Sequence, residues 1–80
     1  MGQNYVWIIM YDPEEDHPYT GSIHWTADGA MLAATQFLED RGGLWPRAEW
    51  VETSNGWELV VEEEGYIRTQ AAVDRRDILT

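Results

Sequence analysis

The side chains best suited to chemistry in this chain are two histidines and their acidic neighbours. His17 and His24 follow the acidic segment 12–16 closely, and imidazole and carboxylate groups together suit zinc or manganese. Their spacing matches no metal-binding helix motif. The segment also fails the calcium-loop pattern, because no glycine stands at its sixth position and no glutamate at its twelfth. We therefore expect no metal ion and no other cofactor.

A serine nucleophile with a histidine base can also be drawn. Ser22 and His24 alternate along a predicted strand, so their side chains would project from one face. They come without a glycine-rich elbow and without an acid to orient the histidine. The Gly42-Gly43 pair has neither the lysine nor the spacing of a phosphate loop. The sequence therefore predicts a protein that is not an enzyme; a bound metal, or a cleft joining a histidine to carboxylates, would indicate one.

The balance of charge is strongly acidic. Fifteen acidic residues stand against five basic ones, which gives a net charge of -10. All five basic residues are arginines, and their one cluster, Arg75-Arg76, is flanked by Asp74 and Asp77. Because phosphate backbones and anionic membranes require clustered cations, we expect neither nucleic acid nor a membrane as a direct partner. Self-repulsion among so many negative charges destabilises the compact state. Binding to a basic partner is one reason for a protein to retain such a charge, and solubility is the other.

The size and composition indicate one small folded unit. The 80 residues are expected to form a single domain, with core volume supplied by the five tryptophans and Phe37 and without any disulfide, since cysteine is absent. The longest apolar run, Tyr5 to Tyr11, is far shorter than the ~20 residues that span a bilayer. No secretory leader pattern opens the chain. The expected location is the cytoplasm.

The elements predicted from these patterns make an α+β fold of order β-β-α-β-β, with about four antiparallel strands and one helix on one face. The run Tyr5 to Tyr11 is rich in aromatic and β-branched residues and is apolar on both faces, which is typical of a central strand. Residues 19–25 follow as a second strand, weakened by Gly21.

The single predicted helix begins after Thr26, a good N-cap residue. Its apolar residues recur at spacings of three and four and form one stripe. These residues are Ala27, Ala30, Met31, Ala34, Phe37 and Leu38. Gly42-Gly43 ends the helix in the manner of a C-cap glycine. The helix is therefore expected to lie across the sheet.

The last predicted feature is a hairpin around Asn55-Gly56, residues that suit a type I′ turn. Pairing outward from that turn sets Trp50 opposite Val61, Glu52 opposite Leu59, Val51 opposite Val60 and Glu49 opposite Glu62. The core face then holds Trp50, Trp57, Leu59 and Val61, and the solvent face holds Glu49, Thr53, Glu58 and Glu62. Residues 62–65 turn the chain. Residues 66–68 suit a further strand, while residues 69–80 are left open as a short helix, a strand or an arm.

One consequence of this layout concerns the second face of the sheet. A single helix covers only one face, yet the first strand is apolar on both. Either the C-terminal segment or another chain must therefore cover the second face. A homodimer or a hydrophobic docking surface follows as a hypothesis.

The functional hypothesis is a non-catalytic module whose acidic hairpin binds a basic, nucleic-acid-binding surface of another protein and blocks it. The residues predicted to contact that partner are Glu49, Glu58, Glu62, Glu63, Glu64 and Trp45. With its hairpin glutamates, the chain resembles in general character the small, acidic, cysteine-free inhibitors that phages encode against host defence, including anti-CRISPR and DNA-mimic proteins. That resemblance implies an anti-defence inhibitor in the host cytoplasm. The alternative is a homo-oligomeric structural or accessory phage-type protein whose acidity serves solubility.

Overall fold

The structure, a computed structural model, describes residues 3–78. These residues form one antiparallel sheet with one helix packed against it. The elements are β1 (Tyr5–Tyr11), β2 (Tyr19–His24), α1 (Ala27–Asp40), β3 (Glu49–Thr53), β4 (Gly56–Glu63) and β5 (Tyr66–Asp77). The strand order is β2-β1-β5-β4-β3, and every neighbouring pair is antiparallel. The predicted α+β class is confirmed, with five strands in place of about four.

The additional strand is β5, which the sequence left undecided beyond residue 68. Its twelve residues run through the centre of the sheet, paired with β1 on one side and β4 on the other. Ala71 and Val73 are fully buried there. Alanine and glutamine are weak strand formers, so pairing on both edges, and not local propensity, determines this strand. A C-terminal helix or arm is therefore wrong for residues 69–77, and residues 79 and 80 of that prediction lie outside the described part of the chain.

The helix matches its prediction at both ends. The Thr26 hydroxyl accepts a hydrogen bond from the Gly29 N–H at 3.0 Å, which satisfies one of the free amides of the first turn. At the other end, Gly42 adopts a φ of 67° and the Gly43 N–H donates to the Leu38 carbonyl at 2.8 Å. Ala30, Ala34 and Leu38 are buried against the sheet. The small alanines allow α1 to lie close to the strands.

The hairpin of β3 and β4 forms, but its predicted turn and register are wrong. Its turn residues are Ser54 and Asn55, one position earlier than predicted, so Trp50 lies opposite Leu59 and Glu49 opposite Val60. Neither Ser54 nor Asn55 has a positive φ, so this is not the type I′ turn that was expected. The register differs by two residues, and a shift of two keeps every side chain on its predicted face.

Gly56 explains the displaced turn. It begins β4 opposite Asp74, and a Cβ atom placed on it would lie 1.9 Å from the Val73 carbonyl oxygen. Glycine is therefore required where β4 approaches β5 closely, and the chain reverses direction at the two residues before it.

A type I′ turn does occur, between β4 and β5. Glu64 and Gly65 have φ values of 50° and 84°, and they join the paired residues Glu63 and Tyr66. The prediction that residues 62–65 turn the chain is confirmed. A glutamate at positive φ is strained, because its Cβ crowds the backbone in this conformation.

Glu64→Asn is therefore expected to raise the free energy of unfolding by about 1 kcal/mol, since asparagine tolerates the left-handed conformation. Urea denaturation measures the change. Glu64→Gln is the control, because it removes the same charge and keeps the strain. Equal stabilisation by both variants would attribute the effect to charge and contradict the conformational explanation.

The core lies between α1 and one face of the sheet. Its buried residues are Ile9, Tyr11, Ala30, Ala34, Leu38, Leu59, Ala71 and Val73, with Trp7, Phe37, Trp50 and Trp57 packed around them. The expectation that all five tryptophans supply core volume is wrong for Trp25, which is 64% exposed. The predicted core face of the hairpin is thus confirmed, Val61 being buried as well. Within residues 3–78, α1 is the one helix, and it contacts the sheet from this side. The C-terminal segment joins the sheet and does not cover the second face, which we call the open face.

Candidate binding surface

The open face is defined by the strand register. Its residues alternate with the buried residues of the same strands and lie opposite one another across the strands. They include Val6, Ile8 and Met10 of β1, Thr20 and Ile23 of β2, Ala72, Asp74 and Arg76 of β5, Glu58, Val60 and Glu62 of β4, and Glu49 and Val51 of β3. The side formed by β1 and β2 is mainly apolar, and the other side, which we call acidic, carries its carboxylates together with Val51, Val60 and Arg76.

The acidic side carries four carboxylates in a zigzag, which we call the carboxylate row: Asp74, Glu58, Glu49 and Glu62. Each of them is displaced by two residues from the cross-strand partner of the next. Such diagonal neighbours lie ~7–8 Å apart. The row begins opposite Gly56 and continues along β4 to its far end. It is therefore an ordered line of negative charge held by three paired strands.

None of these four carboxylates forms an ion pair within residues 3–78, while Arg47 and Arg68 line the same cavity as Glu62. Between residues 3 and 78, the one ion pair within 4.0 Å joins Arg75 to Asp77, at 3.7 Å, and both of its side chains are exposed. Arg76 lies on the open face two residues from Asp74, at the end of the row. Four like charges on one rigid face repel one another, and a cationic surface from another molecule would relieve that repulsion.

The apolar side of the open face lies beside the row, and we call it the apolar lane: Val6, Ile8, Met10, Ile23 and Ala72. The β1 side chains are half-buried, Ile23 is 62% exposed and Ala72 is buried between its larger neighbours. An apolar patch of this kind on a sheet face is typical of an interaction surface.

A second exposed feature is the tip of the β4–β5 hairpin. Because Tyr11 at the end of β1 pairs with Ala71, residues 66–69 extend beyond β1. Tyr66 is 70% exposed and Ile67 is 67% exposed, next to the three glutamates 62–64. Sequence reasoning missed Tyr66 and Ile67 as surface residues. The available signal was their position directly after the Glu64-Gly65 turn, where a hairpin has few neighbours.

The predicted contact residues thus divide into three places. Glu49, Glu58 and Glu62 lie together in the carboxylate row. Glu63 pairs with Tyr66 at the hairpin tip, and Glu64 lies in the turn. Trp45 lies elsewhere: it is half-buried in the segment between α1 and β3, where its backbone N–H donates to Gln70 Oε1 at 3.2 Å. The Gln70 amide in turn donates to the Gly43 carbonyl. Asp74, which sequence reasoning did not include, completes the row.

Ser22 and His24, the residues considered for catalysis, lack the acid that orients the histidine of a catalytic triad within the described chain. Ser22 Oγ and His24 Nε2 are 2.6 Å apart near the exposed edge of the sheet. In the described chain, no carboxylate hydrogen-bonds to that histidine, and no cluster of three His, Cys, Asp or Glu side chains could hold a metal ion. His17 is exposed in the loop between β1 and β2. A serine and a histidine that hydrogen-bond only to each other are typical of polar side chains on a protein surface.

An aromatic cluster closes the end of α1 against the sheet. The rings of Tyr11 and Phe37 are 4.6 Å apart, and the Arg41 guanidinium lies 4.3 Å from the Phe37 ring centre. Burial raises the pKa of the Tyr11 hydroxyl, and the neighbouring Tyr19 acts in the same direction. These contacts attach the C-terminal end of the helix to β1 and β2.

Comparison with known proteins yields no match to a protein family, to a curated protein or to a solved structure. Over residues 3–78, the structure contains no helix long and apolar enough to cross a membrane. The surface geometry is therefore the basis for a functional proposal.

Proposed function

We propose that this chain is a non-catalytic acidic binding module that inhibits a host protein by occupying its basic, nucleic-acid-binding surface. In this proposal it is an anti-defence or DNA-mimic inhibitor of the type that phages encode, and it acts in the host cytoplasm. The observation that carries the proposal is the carboxylate row: four carboxylates on one rigid face, without an internal ion-pair partner in the described chain.

The spacing of the row supports imitation of a nucleic-acid strand. From the position of Gly56 to Glu62, β4 advances six residues, or about 20 Å at ~3.4 Å per residue. Four charges over that length are separated by ~7 Å, against one charge per ~3.4 Å of axis on a DNA strand. The linear charge density is thus within about a factor of two of a single strand. A binding groove lined with arginine or lysine would find similar charges here.

The net charge supports the same partner at longer range. A surplus of ten negative charges attracts a basic surface before contact and speeds association, particularly at low salt. The hairpin tip adds Tyr66, an exposed aromatic of the kind enriched among residues that contribute most to binding. Charge would therefore guide the encounter, and apolar contacts would hold the complex.

The test is a triple substitution in the row, Glu49→Gln, Glu58→Gln and Glu62→Gln. Proteins captured by the wild-type chain from cell extract are identified, and their binding to a labelled DNA or RNA duplex is followed by fluorescence anisotropy. Wild-type protein should displace the duplex, and the triple variant should do so roughly 30-fold more weakly, because three charged contacts are lost.

The control triple is Glu14→Gln, Glu15→Gln and Glu39→Gln, which removes the same charge from exposed glutamates outside the row. This variant should stay within about threefold of wild type, since only long-range attraction is reduced. Equal losses from both triples would show that total charge, and not the row, governs binding. Failure of every captured protein to bind a duplex would contradict the proposed inhibition.

The apolar lane favours a second candidate, a homo-oligomeric assembly protein. Self-association through that face would bury Ile8, Met10 and Ile23. Such a dimer would resist salt, whereas binding through the carboxylate row should weaken steeply as salt is raised. Sedimentation at two ionic strengths separates the two candidates.

A further inference from the structure

We infer that the apolar lane receives a basic amphipathic α-helix from the partner protein. This inference rests on the proposed function, because it names the element of the basic partner that contacts the open face. The lane and the carboxylate row lie side by side on one face. An occupant must therefore present apolar and cationic groups on adjoining surfaces.

The dimensions of the lane suit one helix. It spans the neighbouring strands β2, β1 and β5, so its width is about 10 Å at ~4.8 Å between strands. A helix with its side chains is ~10–12 Å across. Along β1, Val6 to Met10 covers roughly 13 Å, which is between two and three helical turns. The lane can thus hold a short helix along the strands.

The sizes of the side chains across the lane favour the same occupant. In one row across the sheet, Thr20, Met10, Ala72 and Glu58 lie side by side on the open face. The small Ala72 between the longer Met10 and Glu58 is a low point in this row. A large apolar side chain of a helix can pack over such a low point, as ridges fit grooves between packed helices.

Charge decides which helix fits. Asp74, opposite Ile8, and Glu58, opposite Ala72, border the lane with negative charge, and Arg76 borders it at the Val6 end. Lysine or arginine on one flank of the helix would reach these carboxylates while apolar residues contact Ile8 and Met10. A second copy of this chain suits the face less well. Sheets packed face to face are ~10 Å apart, which would bring two carboxylate rows, and two net charges of -10, close together.

The experiment uses two synthetic 18-residue peptides of identical leucine and lysine composition. One places its leucines at spacings of three and four to form an apolar stripe, and the other scrambles them. Binding of each labelled peptide to the full chain is measured by fluorescence anisotropy at 150 mM salt. The striped peptide should bind at least tenfold more tightly than the scrambled one.

Matched variants locate the contact. Ile23→Lys in the lane should weaken binding of the striped peptide at least tenfold, whereas Leu32→Lys on the outer face of α1 should change it less than twofold. Ile23 and Leu32 are 62% and 60% exposed, so the two variants change charge and apolar exposure equally. Thr20→Lys, opposite Met10 at the edge of the lane, is a second variant with the same expected loss. Circular dichroism verifies that each variant is folded.

The outcomes separate this inference from the proposed function. Equal binding of striped and scrambled peptides, or equal losses from Ile23→Lys and Leu32→Lys, would overturn the helix inference and leave binding by charge intact. Self-association of the wild-type chain that Ile23→Lys abolishes would overturn it in favour of a second copy. Failure of both peptides to bind even at low salt would contradict the inference and the electrostatic proposal together.

Discussion

The Gly56→Ala variant is expected to lose about 3–5 kcal/mol of folding free energy, or to fail to fold. The added Cβ would lie 1.9 Å from the Val73 carbonyl oxygen and 3.3 Å from the Asp74 Cα. Both contacts are to backbone in the central strand, which cannot move without breaking its hydrogen bonds to β1 and β4. Because a domain of this size has little stability to lose, the effect should be evident in thermal and urea unfolding.

Gly43→Ala is the matched control for this prediction. A Cβ at Gly43 would lie 3.8 Å from the Leu38 carbonyl oxygen, an ordinary contact distance. That variant should remain within about 1 kcal/mol of wild type. If Gly56→Ala unfolds at the same urea concentration as Gly43→Ala, the close approach of β4 to β5 is incorrect.

The second large effect is expected at Ile9. This side chain is fully buried between the sheet and α1. Ile9→Ala should therefore lower the free energy of unfolding by about 3–4 kcal/mol, through lost burial and the cavity left behind. Ile8, the preceding residue, faces the other way and is only half-buried. Ile8→Ala should cost about 1 kcal/mol, since the open face is already in contact with solvent.

The comparison of Ile8 with Ile9 tests whether the second face is uncovered in the free protein. The two residues are adjacent isoleucines of one strand, and they differ in the face that they occupy. Urea unfolding with fluorescence detection gives both values. A loss at Ile8 as large as that at Ile9 would mean that another chain or segment covers the open face.

Local chemistry was sufficient to predict α1 and β1. Thr26, the apolar stripe of the helix and Gly42 act through contacts within a few residues along the chain. The structure that they favour therefore does not depend on the rest of the fold. The continuous aromatic and β-branched run Tyr5–Tyr11 likewise identified a strand with two apolar faces. These signals are strong because capping and periodicity are short-range effects.

Long-range pairing decided the features that the sequence did not predict. Asn55-Gly56 has the composition of a type I′ turn. Because only glycine fits beside Val73 of β5, Gly56 lies in β4, and the turn is one residue closer to the N-terminus than predicted. The weak pattern of residues 69–77 became a central strand because β1 and β4 both pair with it. No local rule contains either constraint.

The candidate site shows the same division. Glu49, Glu58 and Glu62 were assigned correctly to one face, since an even shift in register leaves faces unchanged. Asp74 was not included, because its place in the carboxylate row depends on β5 lying next to β4. The sequence therefore predicted the acidic hairpin but not the continuous row that extends onto a third strand.

The most direct test of the account is a carboxyl-labelling footprint of the complex with a captured nucleic-acid-binding protein. Carbodiimide coupling of glycine ethyl ester, followed by peptide mass spectrometry, reports the accessibility of each acidic side chain. Labelling of Glu49, Glu58, Glu62 and Asp74 should fall at least fivefold on binding, while labelling of residues 12–16 should stay constant. Unchanged labelling of the row, with protection at residues 12–16 or spread evenly over all the acids, would contradict binding through the carboxylate row.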